Sequence, residues 1–254
     1  FAEDALLNKT EYSDSREYLK NGKSALEAGH YADAVKNLSV VQKEFKLLED
    51  YALYYLSEAY HKLGEHEKSL EAIRMLIEKH PDSPLMQKAR SFEIREAGDS
   101  SKENLLHLFE SYIKDYPENK ETHFLFGLFL KGNDDKARAK YIFKKIYIDA
   151  GALSNSAYAE LKPSDIKASD LIERASSLIK RYEFEKAEHD LRKALSMQNN
   201  NNRNEILRHL GFSLFKQKKY KEASEIYDKI HDIYFKSRSL YRAGDKKGFD
   251  LALN

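Results

Sequence analysis

The sequence predicts an all-α chain, a right-handed superhelix of stacked antiparallel helix pairs. Three observations predict it. Glycine and proline are scarce, ten and four among 254 residues, which suits long helices rather than turn-rich sheets. Apolar residues recur at helical spacing, as Ala52, Leu53, Leu56, Tyr60 and Leu63 do in "DYALYYLSEAYHKLG" (50–64). A unit of glycine, polar turn and small residue also returns about every 34 residues.

The units can be read in order. "EAGHYADAVKNL" (27–38), "KLGEHEKSLEAI" (62–73) and "FLKGNDDKARAKYI" (129–142) align on their glycines. Gly29, Gly64, Gly98 and Gly132 are spaced by 35, 34 and 34 residues, and each is expected to close a first helix in the left-handed conformation. Five positions later stand Ala34, Ser69 and Ala137, small residues that let the paired helices approach. The third unit departs: Glu103 holds that position, and its second helix is expected to run two residues longer before Pro117. Pro81 and Pro117 should stop second helices.

The series resumes in "KRYEFEKAEHDLRKAL", with Ala187 and Leu191, and in "QKKYKEASEIYDKI", with Ala223 and Tyr227. Residues 1–148 therefore read as four repeats and 149–163 as an irregular connection with a short helix, followed by an N-cap at Ser164 or Asp165. Residues 164–254 read as further repeats, with the last unit stopping partway through its second helix. An array ordinarily ends in a polar capping unit, so the chain is expected to be a piece of a longer protein. "HFLFGLFL" (123–130) is apolar on all sides and should be mainly buried.

Bulk properties exclude several function classes. Forty-three Lys and Arg nearly cancel 42 Asp and Glu, and a net charge of +1 argues against nucleic acid as a partner. No run of 18 apolar residues suggests a membrane span. The absence of cysteine removes disulfides, thiolate metal sites and cysteine nucleophiles. Glu27/His30 and Glu58/His61 have the Glu-x-x-His spacing of di-iron bundles, but His30 should lie in a turn, so no metal or other cofactor is expected. Two Ser-x-x-Lys matches, at Ser177 and Ser213, lack the companion motifs of penicillin-binding enzymes. No acid/base or nucleophile–base set emerges, and no catalytic residue is assigned.

The unit length and the glycine–aromatic–alanine spacing resemble tetratricopeptide repeats. The longer stretch "LLEDYALYYLSEAYHKLGEHEKSLEAIRMLIEKHPDSPL" (47–85) resembles the N-terminal superhelical region of bacterial soluble lytic murein transglycosylases. "YIKDYPEN", "LFLKGNDDKARAKYIFKKIY" and "SLIKRYEFEKAEHDL" follow in that family's order, so the likeness spans roughly residues 40–250. It implies a periplasmic, non-catalytic scaffold. Its parent would cleave the β-1,4 bond between N-acetylmuramic acid and N-acetylglucosamine through a separate C-terminal domain, absent from this chain. The family's catalytic Glu-Ser motif has one local match, Glu110-Ser111, but no Gly-Leu-Met-Gln follows, and the role is not transferred. Implied partners are peptidoglycan glycan strands. The repeat by itself implies instead a free-standing adaptor that binds a partner protein in its concave groove.

The first helix of each unit should line that groove. In "DYALYYLSEAYHKLG", one face carries the core stripe and the other carries Tyr51, Tyr54, Tyr55, Glu58, His61 and Lys62. Tyr55 is expected to be shared with the adjoining repeat. Tyr51, Tyr54, Glu58, His61 and Lys62 are the candidate binding residues.

Overall fold

A computed structural model describes residues 2–99, 101–197 and 203–253, with side chains described for 14–98, 101–197 and 203–252. Among the described residues there are fifteen α-helices and no strand. The chain divides into two compact units, residues 1–122 and 123–254. The first holds α1 (Ala2–Glu27), α2 (Tyr31–Glu44), α3 (Glu49–Lys62), α4 (His66–Lys79), α5 (Met86–Glu96) and α6 (Lys102–Asp115). Helix α7 (Lys120–Gly132) crosses the boundary. The second unit continues with α8 (Lys136–Asp149), α9 (Ser154–Ala159), α10 (Ala168–Lys180), α11 (Phe184–Ser196) and α12 (Arg203–Lys216). It ends with α13 (Tyr220–Lys229), α14 (Ile233–Ala243) and α15 (Lys246–Leu253).

The helices form pairs because one type of turn recurs. In the first pair, Gly29 takes a left-handed φ of 80°, and the His30 N–H then donates back to the Ala25 carbonyl at 2.8 Å. This is the Schellman closure of a helix end. The His30 carbonyl in turn accepts from Ala34 N–H at 3.0 Å, opening the next helix. One residue thus ends α1 and begins α2. Glu65 does the same between Tyr60 and Ser69, Asp135 between Leu130 and Ala139, Glu183 between Leu178 and Ala187, and Lys219 between Leu214 and Ala223.

The left-handed residue before each is Gly64, Asp134, Tyr182 and Lys218 respectively. Gly98 and Gly132 are therefore not closing glycines. Helix α7 runs through Gly132, and the left-handed position falls two residues later on Asp134, whose short polar side chain tolerates it. The small packing residue moves with it: Ala139 is 2% exposed, whereas Ala137 faces solvent. In the third pair a 3₁₀ turn, Ala97–Asp99, replaces the Schellman closure. Ser101 caps α6 by accepting from Asn104 N–H at 3.2 Å. The two extra residues before Pro117 thus lie in the turn, since α4 and α6 are both 14 residues long.

Each second helix buries residues at one phase. The series is Ala34, Leu38 and Val41; Ser69, Ile73 and Leu76; Leu105, Phe109 and Tyr112; Ala139, Phe143 and Ile146; Ala187, Leu191 and Ala194. The middle, bulky member faces a small residue sixteen positions earlier on the first helix. Gly22 abuts Leu38, Gly127 abuts Phe143 and Gly211 abuts Tyr227, so closely that an added Cβ would lie 2.6 to 2.8 Å from the opposing side chain. The same offset pairs Ser57 with Ile73 and Ala175 with Leu191, all fully buried. The third pair breaks this rule too, with Glu93 at the small position. Glu93 is held by Arg74 Nε at 3.0 Å.

Helix α7 is not buried on all sides. Phe126 and Leu130 are inside, but Leu125 and Leu128 are each 38% exposed, because a 3.6-residue period turns part of an all-apolar helix outward. In the connection after α8, Pro163–Asp165 forms a 3₁₀ turn with the Asp165 carboxylate accepting from Lys162 N–H. The cap of α10 lies further on than Ser164 or Asp165. It is Lys167, whose N–H donates to Asp170 at 2.8 Å. No described helix is long and apolar enough to cross a membrane.

Candidate functional site

In the first unit, α3 sits between α2 and α4 and also touches α1, and the ends of α1, α3 and α5 enclose a cleft of about 370 Å³. Leu26 and Phe92 supply apolar walls, and Tyr31 reaches in from the start of α2. Glu27, Glu58 and Glu96 contribute carboxylates, and Lys62 and Arg95 contribute cations. His61 completes the lining. First helices of successive pairs thus supply most of the cleft, because each ends at the same side before its turn.

The five candidate residues are placed differently from one another. Glu58, His61 and Lys62 share the cleft wall, at i, i+3 and i+4 on α3. Tyr54 is a core residue, 9% exposed, with its ring edge-on to Tyr55 at 5.6 Å and Phe92 at 6.3 Å. Its hydroxyl donates to Glu58, and burial first, then the Glu58 charge, pushes the phenol up to about 12. Burial likewise raises the Glu58 carboxyl, against the opposing pull of the Tyr54 hydrogen bond, Arg95, Lys88 and Lys62. Tyr54 therefore acts behind the wall, orienting Glu58. Tyr51 is half-buried one turn earlier and does not line the cleft.

On the core side, Leu53, Leu56 and Ala59 are buried and Tyr60 packs against the same cluster, but Leu63 is 41% exposed. Leu63 is the C-cap of α3, still in helical conformation with its N–H on the Ala59 carbonyl, at the open end of the helix next to the Gly64 turn.

Helix α5 contributes what the sequence reading missed. Glu96 ends α5 with its side chain 4% exposed and lies against two imidazoles. His61 Nδ1 is 2.8 Å from one oxygen and His66 Nδ1 is 3.3 Å from the other. The imidazole rings are 5.6 Å apart and steeply inclined. The left-handed Gly64 turn makes this possible by bending His66, at the start of α4, back beside His61. Only the Glu58/His61 spacing was visible in the sequence. Glu96 lies 35 residues beyond His61, about one repeat, which is the one signal that could have singled it out.

The stretch that carries the murein transglycosylase likeness has structural work of its own. Ser83 of "PDSPL" donates its hydroxyl to Asp50 of "EDY" at 2.6 Å and accepts Leu85 N–H at 3.1 Å. The second Asp50 oxygen accepts Tyr51 N–H at 2.9 Å. These contacts tie the turn after α4 to the start of α3, so these motif residues serve the fold. Glu110 lies on the exposed side of α6, apart from this cleft.

The paired helices, their shared turns and their single burial phase give the described residues a fold of stacked helical repeats like that of tetratricopeptide proteins. Residues 19–84 match the family model of the tetratricopeptide repeat. No curated protein matches the chain. Among solved structures, the chain is similar to a tetratricopeptide repeat protein from Parabacteroides merdae, at 13% identity and a TM-score of 0.48, over 94% of this chain and 91% of that one. A thermophilic protein of the same repeat type from Thermus thermophilus aligns at 18% identity and a TM-score of 0.38, over 79% and 99% of the two chains. A repeat domain of yeast Sti1, solved in complex with an Hsp90 peptide, aligns at 14% identity and 0.36, over 95% and 99%.

Proposed function

We propose that the chain is a non-catalytic binding module whose cleft between α1, α3 and α5 takes an extended segment of a partner protein. The observation that carries this reading is the cleft itself. It joins apolar walls to charges of both signs, with Glu58 held in place by the buried Tyr54 hydroxyl. A peptide presents the same combination: backbone amides, an apolar side chain and charged groups. The raised Glu58 carboxyl suits an acceptor for a partner's N–H or basic side chain, and Lys62 and Arg95 suit a carboxylate.

The test is affinity capture by the purified chain, followed by titration of each recovered partner in pure form. Lys62→Glu with Glu58→Lys should abolish the interaction, and Glu71→Lys on the exposed side of α4 should preserve it. A purified partner that binds wild type and the cleft variant equally would refute the assignment.

A second reading is favoured by the 47–85 stretch alone: a scaffold region of a periplasmic lytic murein transglycosylase, contacting glycan strands. Co-sedimentation of the purified chain with isolated peptidoglycan, reduced in the same cleft variant, would favour it over the adaptor. Failure to sediment would remove it.

A further inference from the structure

We propose that His61, His66 and Glu96 form a binding site for a divalent transition-metal ion of the zinc class, at the wall of the cleft. The donor atoms, two imidazole nitrogens and a carboxylate oxygen, lie within 4.8 Å of one another. A tetrahedral ion with bonds of about 2.0–2.1 Å places its donors roughly 3.3 Å apart; here the His66 nitrogen is 3.3 Å from one Glu96 oxygen and the His61 nitrogen 2.8 Å from the other. Nitrogen and carboxylate donors together suit zinc and its first-row neighbours rather than calcium or magnesium.

A second observation separates this set from a chance surface cluster. His61 Nδ1 is buried and makes no hydrogen bond, although a Glu96 oxygen stands 2.8 Å away. Buried polar atoms are ordinarily satisfied, and an orphan in a native fold calls for an explanation. An ion bound to both atoms would give Nδ1 the partner it lacks, in place of the direct contact with the Glu96 carboxylate. The site is also built from three helix ends, the last turn of α3, the first residue of α4 and the last residue of α5, so its geometry is fixed by the pairing of the helices.

Nearby cations do not close the site. Arg95 lays its guanidinium on the Phe92 ring at 5.2 Å, and Glu58 and Glu27 line the same cleft as Lys62. Three protein ligands leave a coordination position open for water or for a donor from another molecule. The inference is independent of the partner-protein reading, since it needs only the folded chain and the ion.

The test is titration of the chelator-treated chain with zinc chloride by calorimetry, and with cobalt(II) chloride by visible absorption. One ion per chain is expected, with a cobalt spectrum of low coordination number and a melting midpoint that rises with added zinc. His66→Ala is the key variant because His66 is exposed and its loss leaves the core intact. Losing one ligand should weaken zinc binding by at least about tenfold and abolish the midpoint shift, as Glu96→Gln should too. His30→Ala, outside the set, should bind as wild type does. No binding by the wild-type chain, or equal binding by His66→Ala, would overturn the proposal.

Discussion

Gly211 and Tyr227 touch so closely that a Cβ on the glycine would stand 2.8 Å from the phenol ring. The tyrosine is 1% exposed, so it has nowhere to move. Gly211→Ala should therefore destabilise by about 1–3 kcal/mol through overpacking, measured as a shift in the denaturant midpoint. Gly64→Ala should cost about 1–2 kcal/mol for a different reason, since φ there is +76° with open space around it. Gly132→Ala should instead stabilise by about 0.4–1 kcal/mol, because its φ is ordinary and nothing lies within 4 Å. Three equal responses would mean that the glycines do not have these separate roles.

The Arg174–Asp190 ion pair joins α10 to α11 with both side chains largely buried, and the guanidinium also covers the Tyr147 ring at 4.5 Å. Burial raises the Asp190 carboxyl and Arg174 opposes it. Arg174→Ala should cost about 3–5 kcal/mol, because it strands a buried carboxylate, whereas Arg174→Met with Asp190→Leu should be near neutral. A double variant as unstable as the single one would show that the pair contributes net stability rather than pairing alone.

Tyr54 and Tyr51 lie three residues apart but differ in burial. Tyr54→Ala should lower stability by about 3–5 kcal/mol, the cost of deleting a packed aromatic. Tyr51→Ala should cost less, about 1 kcal/mol, because a half-buried ring loses only part of its apolar contact. Comparing their thermal midpoints checks both.

Alkaline pH should unfold the protein through its tyrosines. Burial pushes Tyr54 and Tyr227 up to about 12 from an ordinary 10.0, with Glu58 adding to the first and Asp232 to the second. Each raised phenol contributes stability that is complete below pH 10 and lost as pH rises from 10 to 12, because the unfolded chain ionises first. The melting midpoint should fall across that window. Tyr227→Phe, which keeps the ring, should make the fall shallower, and an unchanged slope would contradict the assignment.

Much of the array was legible because it rests on periodicity. Ala34, Ser69, Ala187 and Ala223 are all at the helix contacts where the spacing put them. The phase slipped where glycine was taken as the marker of the turn. Asp134, Tyr182 and Lys218 hold the same left-handed conformation without being glycine, and Gly22, Gly127 and Gly211 serve packing instead. Composition cannot distinguish a glycine needed for its φ from one needed for its missing side chain. The cleft was legible only in part for a similar reason. Glu58, His61 and Lys62 share a helix face, but Glu96 arrives from another helix, and Tyr54 turns inward because α5 packs Phe92 against it.

The turns within pairs have a consequence for how such a chain can change in length. His30, Glu65, Asp135, Glu183 and Lys219 each close one helix and open the next with the same backbone unit. A residue inserted there would remove the last hydrogen bond of one helix and the first of its neighbour together. It would also rotate every side chain beyond it off its sixteen-residue partner. Insertions and deletions should therefore be confined to the stretches between pairs that lack this turn, such as residues 150–167, which already hold an extra short helix, and kept from the α13–α14 junction, where Asp232 repeats it. Elsewhere, growth or loss of the protein would have to proceed by whole helix pairs.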